Sequence, residues 1–170
     1  MTTAVLLGLM LAFERKEPGI MAHPPRQPET PILTRELGFR IGLVGLILLA
    51  GAFVFFEWAL SQEKSIETAR TLAVNMFVFG ELFYLFNCRS LRYSMFKLGV
   101  FSNPWLLLGV IAMALLQVFF TYSPAMNTLF GSAPLEMIDW VFILSGGLLI
   151  YGVVGIEKWL RRRAENRRDV

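Results

Sequence analysis

The run Asn75-Met-Phe-Val-Phe-Gly-Glu81-Leu-Phe-Tyr-Leu-Phe-Asn87-Cys-Arg-Ser90 is apolar and aromatic on both sides of a single carboxylate. Its composition fits the middle and one end of a membrane-spanning helix. A carboxylate at the centre of a lone helix costs about 2.5–3.5 kcal/mol on insertion scales, and ionisable groups at that depth usually have a function. Glu81 is therefore the first candidate residue.

The surrounding chain supports a membrane setting. Of its 170 residues 55% are hydrophobic, against about 45–50% in a typical soluble domain. The excess falls in long blocks, so the expected fold is an all-α, polytopic transmembrane helix bundle. Four full spans plus an N-terminal half-span are expected. The full spans are placed at residues 38–60, 70–88, 105–122 and 137–159. At about 1.5 Å per residue, residues 1–13 cover roughly 20 Å of a hydrocarbon core about 30 Å thick. A signal peptide would carry basic residues before its apolar run, whereas Glu14-Arg15-Lys16 follow this one. The block is expected to be the inner half of a spanning helix whose outer half lies outside this chain.

The connectors orient the bundle. Residues 14–37 hold five prolines and several basic residues, which favours an extended loop. Loop 89–103 carries Arg89, Arg92 and Lys97, and the tail 160–170 is basic. Loop 61–69 holds only Lys64, with Arg70 at its edge, and loop 123–136 holds no Lys or Arg. The alternation predicts that loops 14–37 and 89–103 and the C-terminus are cytoplasmic, in an integral protein of the cell membrane. The net charge of +3 is thus a topology signal, and no nucleic-acid partner is expected. Arg40 is expected to snorkel to the surface and Glu57 to sit solvated at the interface. Glycines 38, 42 and 45 in the second block, and 146, 147, 152 and 155 in the last, offer thin helix faces.

Chemistry is sparse. With one cysteine, Cys88, and one histidine, His23, the chain can form no internal disulfide, zinc knuckle or His-based triad, and no catalytic residue is expected. Helical spacing puts Tyr84 and Cys88 on roughly the face of Glu81, while Asn75 points elsewhere. The remaining in-span oxygen donors, Gln117 and Thr2/Thr3, are scattered over several helices. Calcium takes about 6–8 oxygens, so this chain closes no cation cage and binds no cofactor by itself. Two readings of Glu81 stay open. It serves a cation or proton, completed by helices from elsewhere, or it is a satisfied interhelical carboxyl.

Four landmarks then appear in order. They are Thr3-Ala-Val-Leu-Leu-Gly-Leu-Met-Leu-Ala-Phe13 with Glu17-Pro-Gly-Ile-Met21 and Pro24-Pro25-Arg26; Glu81 through Ser90; Asn103-Pro-Trp105 with Tyr122-Ser-Pro124; and Pro134-Leu-Glu-Met-Ile-Asp139-Trp140 with Glu157-Lys158. Together they resemble the C-terminal membrane region of P-type cation-transporting ATPases, the calcium-pump and sodium/potassium-pump branch, across residues 1–170. The resemblance implies that residues 1–13 are a partial sixth helix and that Glu81 is the eighth-helix glutamate of a cation site. It implies that Thr3 is a coordinating sixth-helix threonine. Ala4 stands where calcium pumps carry an aspartate, and Arg15-Lys16 where many relatives have two prolines. The metal-site residues implied are Glu81 and Thr3, a partial site for a transported cation, Ca2+ or another.

No Asp-Lys-Thr-Gly-Thr phosphorylation motif, Thr-Gly-Glu motif or nucleotide domain occurs in the sequence. The chain alone is expected not to hydrolyse ATP. Its implied partners are the lipid bilayer and the remaining helices and cytoplasmic domains of a pump. The alternatives are a stand-alone small membrane protein derived from such a domain, acting as a helix-packing partner or regulator, and an independent channel or carrier centred on Glu81.

Overall fold

A computed structural model describes residues 2–14, 31, 33–90, 99 and 101–166. Most of the proline-rich connector with His23, Arg92 and Lys97 of the second basic loop, and the last four residues of the tail lie outside the described residues. Among the described residues the chain is all-helical: α1 (Thr2–Leu11), α2 (Arg35–Ser61), α3 (Ile66–Cys88), α4 (Pro104–Tyr122), α5 (Pro124–Phe130) and α6 (Met137–Asn166). α2, α3, α4 and α6 are long and apolar enough to cross a membrane. This is an integral membrane protein.

Side-chain caps place the helix starts. The Thr34 hydroxyl accepts from the Leu37 amide at 3.2 Å, opening α2. Ser65 accepts from the Thr68 amide at 3.2 Å, so α3 begins at Ile66 and takes in part of the connector expected before Arg70. Asn103 accepts from the Leu106 amide at 3.1 Å, with Pro104 in the first turn of α4. Loop 123–136 contains the short helix α5, ended by Gly131 at φ 60°, a left-handed conformation that glycine adopts without steric penalty. α6 runs on through the basic residues to Asn166, where Arg163 complements the negative end of the helix.

α3 is the interior helix. Half of its spanning segment is buried, against 17% for α2 and 28% for α4 and α6. One side of α3 packs against α2 and α6, through Met76 with Val44, Leu48, Ile150 and Val154. Gly80 makes this close approach possible, since a Cβ there would stand 2.5 Å from Leu48 Cδ2 and 2.9 Å from Ile150 Cδ1. The other side of α3 meets α1 and α4 through Val78, Leu82 and Leu85 with Leu7, Leu106 and Met113. At glycines 38, 42 and 45, expected to bring helices together, an added Cβ would meet nothing of a neighbouring helix within 4 Å. Arg40 differs from expectation too. It is buried rather than snorkelling, because Glu157 of α6 lies opposite and accepts from its Nη2 at 2.8 Å.

The bundle has two polar ends. At one, α1, α3 and α6 finish while α2 and α4 begin. There the Lys158 ammonium donates to the Asn87 and Ser90 carbonyls at 2.5 and 2.6 Å, and Arg89 binds Glu14. At the opposite end Lys64 pairs with Asp139 at 2.6 Å.

Candidate cation site at the α1–α3 interface

α1 is short, and its inward face is set by helical period. Thr3 and Leu7, four residues apart, are both buried. Leu7 enters the α1/α3/α4 apolar cluster, and this docks the α1 face onto α3. One turn away, Thr3 comes close to the half-buried Glu81 carboxylate. Two residues 78 positions apart in the chain are thus neighbours, one on each of two packed helices.

The other residues raised from sequence go elsewhere. Tyr84 packs with the α2/α6 cluster. Three residues advance a helix by about 300°, about 60° short of a full turn, so Tyr84 falls on the adjacent shoulder of α3, toward α2 and α6. Asn75 is fully buried on the α4 side. Its Nδ2 donates to the Thr71 carbonyl at 2.8 Å and to Thr121 Oγ1 at 3.1 Å. Thr121 in turn donates to the Gln117 carbonyl at 2.9 Å. Asn75 is therefore engaged in joining α3 to α4. The Gln117 side chain is buried on the same α4 face, and its Nε2 has no acceptor among the described residues.

Toward the end of α1, a network that sequence reasoning missed ties three elements together. Arg89 donates through Nε and Nη2 to the two Glu14 oxygens, at 3.1 and 2.9 Å. Its Nη1 donates to the Gly99 carbonyl at 3.1 Å, and Nη2 also reaches Ser102 Oγ at 2.5 Å. Asn103 Nδ2 donates to Glu14 Oε2 at 2.9 Å. The bonds hold the end of α1 against the end of α3 and the start of α4, and so fix the height at which Thr3 meets Glu81. The available signal was an arginine directly after an apolar helix and a glutamate directly after another. Both were read as loop charges.

As a donor set the site is partial. It offers one carboxylate and one hydroxyl, where calcium takes about 6–8 oxygens. Among the described residues no three His, Cys, Asp or Glu side chains come together.

The helix order and the apolar spans define a class, a polytopic helical membrane domain with an acid inside one span. Residues 1–160 match the family described as "Cation transporting ATPase, C-terminus", and the chain belongs to that family. It is 49% identical over 162 residues to the probable cation-transporting ATPase F of Mycobacterium tuberculosis, which covers 95% of this chain and 18% of that protein. Against the cation-transporting ATPase pma1 of Synechocystis it is 33% identical over 150 residues, 85% of this chain and 17% of the relative. Against the calcium-transporting ATPase 1 of Schizosaccharomyces pombe it is 28% identical over 153 residues, 90% and 17% respectively. The chain thus spans less than a fifth of the curated relatives it matches.

Proposed function

We propose that this chain supplies the Glu81 and Thr3 ligands of the transmembrane cation site of an ATP-driven pump, with α3 as the scaffold. The observation that carries the reading is the Thr3–Glu81 contact across α1 and α3. A carboxylate and a hydroxyl converging between two membrane helices are hard oxygen donors of the kind that calcium and similar cations take. The remaining ligands come from other helices of the pump, and its cytoplasmic domains supply phosphorylation. The chain by itself does not hydrolyse ATP. The transported ion is Ca2+ or another cation, and Ala4, standing where calcium pumps carry an aspartate, leaves one carboxylate fewer to balance its charge.

The basic end of the bundle faces the cytoplasm of the cell, with loops 14–37 and 89–103 and the C-terminus, since Lys and Arg concentrate on that side. The test is cation occlusion in the complete pump carrying Glu81→Gln or Thr3→Ala. Glu81→Gln should reduce cation affinity at least about tenfold, the loss of one charged contact. Thr3→Ala should reduce it less, and nucleotide binding should be unchanged in both. Wild-type cation affinity in Glu81→Gln would sink the proposal.

A further inference from the structure

At the basic end of the bundle, α2 and α6 line an open groove of about 790 Å3. That volume lies within the range of about 300–1,000 Å3 common for small-molecule sites. Phe39 and Leu43 of α2 and Val153 and Ile156 of α6 form apolar walls. Arg35 and Arg161 also line it, and both stand where their helices reach the membrane surface. Leu43 and Val153 are each eight residues further along the helix, about 12 Å deeper at 1.5 Å per residue. The groove is thus basic at its mouth and apolar below. Glu157, the one carboxylate lining it among the described residues, accepts from Arg40 at 2.8 Å, and that pair compensates its charge.

We propose that this groove binds one anionic glycerophospholipid, with its phosphate between Arg35 and Arg161 and an acyl chain along Phe39, Leu43 and Val153. Basic pockets between membrane helices draw anionic headgroups, and the gradation from charge to hydrocarbon matches a phospholipid lying parallel to the helices. A further transmembrane helix is the weaker fit. Helix contacts favour small residues, and these walls are bulky, with Phe39 and Ile156 66% and 60% exposed. The proposal uses no residue of the cation site and stands or falls separately from it.

The experiment is native mass spectrometry of the purified chain in detergent, with equimolar dioleoyl phosphatidylglycerol and dioleoyl phosphatidylcholine. One phosphatidylglycerol should be retained over phosphatidylcholine by about tenfold or more, the effect of two arginines near a headgroup. The double variant Arg35→Gln/Arg161→Gln should lose that preference. Val153→Trp, which fills the groove, should reduce retention of both lipids. Arg163→Gln is the control, because Arg163 stacks on Trp159 with Cζ 4.5 Å from the ring centroid and does not line the groove. It should keep the preference. Circular dichroism checks that each variant stays helical, and the double arginine variant decides alone if Val153→Trp does not fold. Equal retention of the two lipids overturns the proposal. So does a preference that survives the double variant, or one that Arg163→Gln abolishes equally, which would mean diffuse attraction.

Discussion

Arg89→Met should be among the most destabilising single changes in this chain. The Arg89 side chain is fully buried and Glu14 is 14% exposed, so the pair is largely out of reach of solvent. Removing one partner of a buried ion pair costs about 3–5 kcal/mol, because the other charge is left uncompensated. Here the substitution also withdraws the donors to the Gly99 carbonyl and to Ser102 Oγ. Asn103 still donates to Glu14, which places the loss near the lower bound, about 3 kcal/mol. Arg89→Lys keeps the charge and loses the two-pronged geometry, so it should fall between wild type and Arg89→Met. The assay is reversible unfolding in mixed micelles by added SDS, followed by far-UV circular dichroism. A cycle through Glu14→Gln, Arg89→Met and the double variant should give a coupling of at least about 1 kcal/mol. A loss below about 1 kcal/mol for Arg89→Met, or strictly additive single changes, would refute the view that this pair anchors α1.

Two further predictions concern the opposite end and the helix contacts. Burial works against the charge of Lys64, but its hydrogen bond to Asp139 and the charges of Asp139 and Glu136 outweigh this and raise its pKa above the ordinary 10.5. The stabilisation is therefore complete below about pH 10.5 and is lost as pH rises through the folded-state value. Melting temperatures of wild type and Lys64→Met should differ most at neutral pH and converge in strong alkali. A constant difference would exclude the ion pair as its source. Gly80→Ala should destabilise by about 1–3 kcal/mol through overpacking against Leu48 and Ile150. Gly152→Ala, with nothing within 4 Å of the added methyl, should be neutral or stabilising by up to about 1 kcal/mol. SDS unfolding ranks the two, and equal effects would contradict the packing around α3.

Much of the architecture was legible because hydrophobic length is local information. Each span is a continuous apolar block, and charges and prolines mark the gaps. Helix ends were less so. The start of α3 depends on the Ser65 hydroxyl turning onto the Thr68 amide, and the reach of α6 to Asn166 depends on basic residues that continue a helix as readily as they end one. α5 went unseen because seven residues between two spans carry no periodic signal of their own. Glycine was informative only in part. Glycines 38 and 80 look alike in sequence, yet only the second lies where two neighbouring helices press against it.

The amino-acid sequence by itself determined that this is a helical membrane protein of the cation-transporting ATPase family, and singled out Glu81 as an acid inside a span. Composition and motif order suffice for that, since every span satisfies its own backbone hydrogen bonds. Only the tertiary structure decided what each polar side chain faces. It set Thr3 beside Glu81, turned Tyr84 toward α2 and α6, used Asn75 to join α3 to α4, and paired Arg89 with Glu14. The reason is angular. A helix turns its residues by about 100° each, so which partner a side chain meets depends on how neighbouring helices are rotated and raised against it, and that is settled by packing across the whole bundle.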